Sequence, residues 1–318
     1  MWFNDFMRFT TVVETNLSSL ELVRRGKVRD VYAVSPDRLL IIATDRVSAF
    51  DCILGSPIPQ KGILLNQLSL FWFDMTKEIV PNHIIESDVC RFPMSLVTHT
   101  DLLSGRSIIV RRTSVIPFEC VVRGYLTGSG WKEYRTSGSI GGTRLPPSLV
   151  ESDLLPEPFF SPATKADVGH DINVDEAYME KKIGSDLTHR LKNLSIAIYA
   201  KAAAYALERG IIIADTKFEF GLDGDHLFLI DEVLTPDSSR FWPLNEYRRG
   251  RPQNSFDKQF VRDFLEVSRW NKKPPAPALP PDIISKTRSK YLEAYRLLVG
   301  RELSLGENSA SCCGHDNI

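Results

Sequence analysis

The sequence predicts an α+β fold in which antiparallel pairing dominates the first third of the chain. Three features carry that prediction. Residues 28–44 form two apolar, β-branched runs around Ser35, Pro36 and Asp37, a hairpin pattern with a strong turn signal. Leu187, Leu191, Leu194, Ile198, Ala202 and Tyr205 recur at helical spacing ahead of Gly210, which is suited to a left-handed helix cap. Residues 217–220 and 226–233 flank Asp223 and Gly224, a second hairpin signal.

The other elements follow in order. Residues 62–80 carry a helical stripe at Leu65, Leu68, Trp72, Met75 and Ile79. Residues 107–122 return to strand character, interrupted at Pro117. Residues 136–158, rich in Gly, Pro and Ser, read as a long surface loop. Residues 211–214 are a short apolar strand. A helix is expected from about Ser255, with Phe256, Phe260, Phe264 and Val267 on one face. Another is expected from about Asp282, with Ile284, Thr287, Tyr291, Ala294 and Leu298. The proline-rich stretch 274–281 between them reads as a stiff surface crossing. No internal repeat is present.

Bulk properties bound the function. The chain has 318 residues, 43% hydrophobic and 25% charged, enough for one large or two coupled domains with a sizeable core. A net charge of -1 supplies no basic field for nucleic acid. No run approaches the roughly 20 apolar residues of a membrane span, and the first residues, MWFNDFMRFTTVVE, do not read as a signal peptide. Cys52, Cys90 and Cys120 lie in apolar stretches without C-x-x-C spacing and read as buried free thiols; Cys312 and Cys313 fall in a polar tail. An odd count without a framework fits a reducing compartment, so a cytoplasmic location is expected.

Five clusters could carry chemistry. Gly26, Lys27, Val28 and Arg29 open a strand, where a glycine admits a phosphate to the backbone and a lysine charge meets it. Alone, such a start is more often a plain turn, and no Walker motif G-x-x-x-x-G-K-[ST] occurs. The segment from Asp45 to Asp51, with Ser48 and Ala49, follows a strand directly; it reads equally as a site or as a capped turn. Arg123 and the glycine-rich run through Ser129 to Gly130 could form an anion-binding nest, or a flexible loop.

The fourth cluster is the sharpest. Lys217 and Glu219 share one strand face while Phe218 and Phe220 take the other. Across the hairpin, Asp231 sits in an apolar strand where an unpaired carboxylate would be costly. Glu219 and Asp231 could together hold Mg²⁺, or pair with Lys217 and Arg240. Last, Thr235-Pro236-Asp237-Ser238-Ser239-Arg240 presents hydroxyls, a carboxylate and a guanidinium suited to a sugar phosphate or carboxylate. No G-x-S-x-G nucleophile motif occurs.

Together these segments resemble the SAICAR synthetase family of purine synthesis. The match rests on GKVRDVY from Gly26, DRVSAFD from Asp45, KGILLNQLS from Lys61 and PFECVVRGYLTGSGWKEY from Pro117. It continues in SPATKADVGHD from Ser161, IADTKFEFG from Ile213 and LIDEVLTPDSSRFW from Leu229.

The resemblance implies a small antiparallel-sheet domain, residues 1–115, packed on a larger α+β ATP-binding domain, residues 116–318, with the site in the cleft between them. It implies an ATP- and Mg²⁺-dependent ligase acting on the small molecules carboxyaminoimidazole ribotide and L-aspartate. Gly26, Lys27, Val28, Arg29, Pro117, Glu119, Lys217, Glu219 and Asp231 would then meet ATP, with Glu219 and Asp231 on the metal. Ser48, Ala49, Arg123, Ser129, Asp171, Asp237, Ser238 and Arg240 would hold the ribotide. Lys217, Asp231 and Arg240 would be closest to the chemistry. A small-molecule kinase or a non-catalytic nucleotide module would share the Gly-Lys start, but neither needs an aspartate-dependent amide product.

Overall fold

The computed structural model describes residues 11–165 and 172–303. It divides into two compact units. The first comprises the chain through Leu68, His83–Thr113 and Phe260 onward; the second comprises Ser69–Asn82 and Ser114–Gln259. The expected split at residue 115 differs from this division in two places: Ser69–Asn82 group with the second unit, and the chain from Phe260 onward groups with the first.

The first unit holds a five-stranded antiparallel sheet in the order Glu21–Arg25, Arg29–Ser35, Arg38–Ala43, Ser107–Arg111, Ile84–Glu86. The expected hairpin turns at Pro36 and Asp37, between its second and third strands. Alternation puts Tyr32, Leu40 and Ile42 into a core with Leu17, Phe92, Leu96, Leu103 and Ile109. A second core explains the C-terminal grouping. Val261, Leu265 and Leu279 pack with Val47, Leu54 and Ile58, joined by Phe264, Ile283 and Ile284. These residues come from the helices Gln259–Val267 and Pro281–Val299 and the crossing between them. The crossing is therefore not purely superficial, and Val267, expected on the buried stripe, is 82% exposed. Cys90 is likewise exposed, whereas Cys52 and Cys120 are buried free thiols as expected.

The second unit is built on the thirteen-residue strand Ile211–Asp223. Its first half pairs with Phe118–Tyr125 and Ser239–Pro243, and its second half with His226–Ile230 and Ser114–Val115, all antiparallel. Leu154–Phe160 adds an edge strand beside Phe118–Tyr125. Residues 136–158 are thus no long loop. They contain the end of the helix Gly128–Ser137, a short hairpin and most of that edge strand. Pro156 and Pro158 disguise it, because proline is tolerated at a sheet edge, and the register shift between Leu154 and Phe159 absorbs them.

One face of this sheet is covered by the helix Ser185–Leu207, whose Leu191, Ile198, Tyr199, Ala202 and Ala206 are buried. Tyr199 donates to the Ile213 carbonyl at 2.7 Å. A Cβ on Gly124 would lie 1.8 Å from the Tyr199 hydroxyl, so only glycine admits the helix there. Cys120 points to the same side, where burial raises its thiol to about 12 despite a hydrogen bond with Ser195. Among the described residues, no helix is long and apolar enough to cross a membrane.

Candidate active site

Beyond the register shift between Ile213 and Asp215, Phe218 and Phe220 are buried on the helix side of the central strand, and its odd-numbered residues share the opposite face. Asp215, Lys217 and Glu219 project there, and Glu119, Val121 and Arg123 of the neighbouring strand do likewise. Register confirms it: Asp215 lies opposite Arg123 and Lys217 opposite Val121. The charged residues of the segments PFECVVRGY and IADTKFEFG are thereby gathered on one sheet face.

At one end is a carboxylate centre. Glu219 is nearly buried and pairs with Ile230, so Asp231 follows immediately where the chain leaves the hairpin with φ +68°. Burial, and then the Asp231 charge, hold the Glu219 carboxyl above the usual carboxylate range, partly offset by Lys165 and Lys217. Lys165 bonds to Glu219, and Lys217 to Glu119. Burial opposes the Lys217 charge, but Glu119 outweighs it and raises the ammonium above its ordinary value. Three carboxylates therefore face two ammonium groups. The alternative pairing of Glu219 and Asp231 with Lys217 and Arg240 is not the dominant one, since those cations are engaged by Glu119 and Asp215. Among the described residues, no group of three or more His, Cys, Asp or Glu is placed to hold a metal by itself. Mg²⁺ needs fewer, because it binds through one or two carboxylates plus substrate phosphates. The Glu219 carboxyl, its proton affinity raised by burial and then by the neighbouring Asp231 charge, fits that requirement.

At the other end is a guanidinium pocket. Asp215, buried, is shared by Arg123 at 3.3 Å and by Arg240. Arg123 also reaches Ser129 at 3.2 Å, Ser161 at 3.3 Å and Asn173 at 3.4 Å. Burial pulls the Arg123 guanidinium below its ordinary value against the pull of Asp215, whereas the Asp215 charge raises Arg240. The glycine-rich run is no loose loop: Gly128 begins the helix Gly128–Ser137. Its φ is +59°, and a Cβ there would lie 2.4 Å from an Arg240 nitrogen. Two guanidiniums beside a helix N-terminus favour an anion. Glu219 lies four positions after Asp215 in the strand, about 13 Å along one face.

The remaining candidates are placed as follows. Pro117 immediately precedes the Glu119-bearing strand, and its carbonyl accepts from the Lys165 amide. Ser238 and Thr235 form a buried turn in which the Thr235 amide donates to the Ser238 hydroxyl at 3.1 Å. The Asp237 side chain is 4% exposed and lies 3.4 Å from Lys258. Asp171 lies outside the described residues.

In the first unit, Gly26–Arg29 is a tight turn whose Gly26 and Lys27 carbonyls accept from Arg46, and the Val28 carbonyl accepts from Thr44. Lys27 pairs with Asp51 at 2.6 Å. Ser48–Ala49 pairs with Cys52–Ile53 across Phe50 and Asp51, both left-handed at φ +50° and +60°. Glycine and asparagine are the usual residues in such a turn. Asp45 proves structural. Its carboxylate accepts from Gly62 at the start of the helix Lys61–Thr76, and from Val12, both at 2.8 Å.

Sequence reasoning missed Asp215, Lys165 and Lys258. Asp215 was findable, since it continues the alternation of Lys217 and Glu219. Lys165 and Lys258 carry no local signal, because their partners are 54 and 21 positions away along the chain.

Solved structures share this fold. A SAICAR synthase from Saccharomyces cerevisiae, complexed with SAICAR, superposes with a TM-score of 0.85 at 44% identity, covering 92% of this chain and 99% of its own. A type-2 SAICAR synthetase in complex with ADP gives 0.63 at 25% identity, covering 88% and 98%. A phosphoribosylaminoimidazole-succinocarboxamide synthase from Thermodesulfovibrio yellowstonii is 54% identical over 90% of this chain and 98% of its own length. The family model of SAICAR synthetase matches residues 22–277. The chain belongs to the SAICAR synthetase family.

Proposed function

We propose that this protein is an ATP-dependent ligase joining carboxyaminoimidazole ribotide to L-aspartate, giving SAICAR, ADP and phosphate in de novo purine (IMP) biosynthesis. The observation that carries this reading is a single sheet face bearing a carboxylate centre at one end and a two-guanidinium pocket at the other. A ligand whose phosphate sits in the guanidinium pocket can present its carboxylate to a nucleotide phosphate held, with a cation, at the carboxylate centre. Membership of the family and the ligands named for its solved members supply the substrate class.

The amine of aspartate cannot displace oxide from a carboxylate, so the carboxylate must first acquire a leaving group. Its oxygen attacks the γ-phosphorus of ATP, releasing ADP and forming an acyl phosphate. The aspartate amine then attacks the acyl carbon, and phosphate departs with that oxygen. Mg²⁺ held by Glu219 and Asp231 would neutralise phosphoryl charge. Lys217 lies beside those acids and offsets charge that develops during transfer. Arg123, Ser129 and Arg240 fix the ribotide phosphate, with Asp237, Ser238, Asp171 and the Ser48-Ala49 turn assigned to the rest of that ligand. Gly26, Lys27, Val28, Arg29, Pro117 and Glu119 are assigned to ATP. A cytoplasmic location suits these substrates.

Ribotide labelled with ¹⁸O in its carboxylate tests the chemistry. One labelled oxygen should appear in each released phosphate, and ADP release should require both ribotide and aspartate. Unlabelled phosphate alongside a genuine amide product would sink the acyl phosphate. ADP release without aspartate, leaving a phosphorylated ribotide, would mark a kinase.

A further inference from the structure

Lys165 belongs to none of the assigned roles, yet its ammonium meets the Glu219 carboxylate. Its origin is fixed. Ala163–Thr164 pairs with Glu119 and Phe118, and the Lys165 amide reaches the Pro117 carbonyl at 3.4 Å. The Lys165 side chain is 30% exposed against 11% for Glu219, so the pair sits at the edge of the carboxylate centre with the lysine outermost. Lys217, the other ammonium there, is engaged by Glu119.

Resting on the metal reading above, we propose that Lys165 and the divalent cation compete for Glu219, so that the cation binds strongly only when nucleotide accompanies it. The physical reason is that an ammonium and a dication cannot crowd one carboxylate without repelling each other. Binding the cation therefore displaces Lys165. Its flexible four-carbon stem lets the ammonium swing to a new acceptor. A nucleotide phosphate bound to the same cation is such an acceptor, and it restores the ion pair that the metal took away. Metal and nucleotide are thereby coupled, and the coupling is reciprocal.

Mn²⁺, followed by its paramagnetic resonance signal, is the probe, titrated into the whole protein with and without ADP and corrected for Mn²⁺–ADP in solution. Removing a partly exposed competing ion pair should tighten bare Mn²⁺ binding roughly fivefold in Lys165→Met, and weaken the ADP-induced tightening by a similar factor. Lys165→Arg should keep the wild-type pattern. Circular dichroism confirms that each variant is folded. Unchanged or weaker bare Mn²⁺ binding in folded Lys165→Met overturns the competition. Asp231→Asn separates the two layers. If it loses Mn²⁺ while Lys165→Met gains nothing, the metal site stands and the competition falls. If Asp231→Asn binds Mn²⁺ like the wild type, Asp231 leaves the metal site, and the competition for Glu219 stands or falls on the Lys165→Met result.

Discussion

Gly128 offers a test in which the structure supplies its own control. Gly128 and Gly138 start and cap the same helix, at φ +59° and +70°. An alanine at either position adopts a left-handed backbone at a cost of about 1–2 kcal/mol. Their surroundings differ. A Cβ on Gly138 meets nothing within 4 Å, whereas one on Gly128 lies 2.4 Å from an Arg240 nitrogen and 2.6 Å from its guanidinium carbon. Restoring an ordinary contact of at least 3.4 Å moves the guanidinium by about 1 Å, a misplacement worth on the order of 100-fold in rate at a substrate-positioning group. The guanidinium is the mobile end of its side chain, so it yields before the backbone, and the loss falls on function.

Urea unfolding should therefore show similar destabilisation in Gly128→Ala and Gly138→Ala. Initial rates of ADP release, with ribotide varied at saturating ATP and aspartate, should show about 100-fold lower kcat/KM for Gly128→Ala alone. Its KM for ATP should hardly change. Equal kcat/KM in the two variants would refute the placement of Arg240 as a ribotide ligand.

Two further outcomes follow from the carboxylate centre. Asp231→Asn should fold normally, lower turnover by about 100-fold and raise the Mg²⁺ concentration needed for half-maximal rate; normal Mg²⁺ dependence in a folded, active variant would remove Asp231 from the metal. Glu219 binds its proton more tightly folded than unfolded, because burial and Asp231 raise its carboxyl. Its contribution thus favours folding at low pH and is lost as pH rises through the raised folded value. In EDTA, Glu219→Gln should flatten that part of the stability profile; an identical pH slope in urea unfolding would count against the close pair.

Local patterning went far in this chain. The hairpin at Ser35–Asp37, the helix Ser185–Leu207 and the turn at Asp223–Gly224 depend on neighbours within a few residues, so periodicity and turn chemistry suffice to place them. The same alternation put Lys217 and Glu219 on one face, and Asp231 beside them through the hairpin. Where the local signal misleads, long-range contact decides. The edge strand Leu154–Phe160 reads as loop because of its prolines, and exists because Phe118–Tyr125 offers it an antiparallel partner. Asp45 reads equally as a site residue or as part of a capped turn, and only its hydrogen bond from the Gly62 amide, at the start of a helix 17 positions away, shows its structural role.

Residue types, strand alternation and the motifs that mark the family are legible along the chain alone. Which charges meet is settled by the folded sheet. Lys165 with Glu219, Lys217 with Glu119, and Arg123 and Arg240 with Asp215 are pairings between strands or loops 25 to 98 positions apart. Nothing in a one-dimensional pattern selects among several lysines and acids for such partners. Sheet register does, because it fixes which side chains stand opposite one another on a shared face, where burial makes an unmatched charge costly.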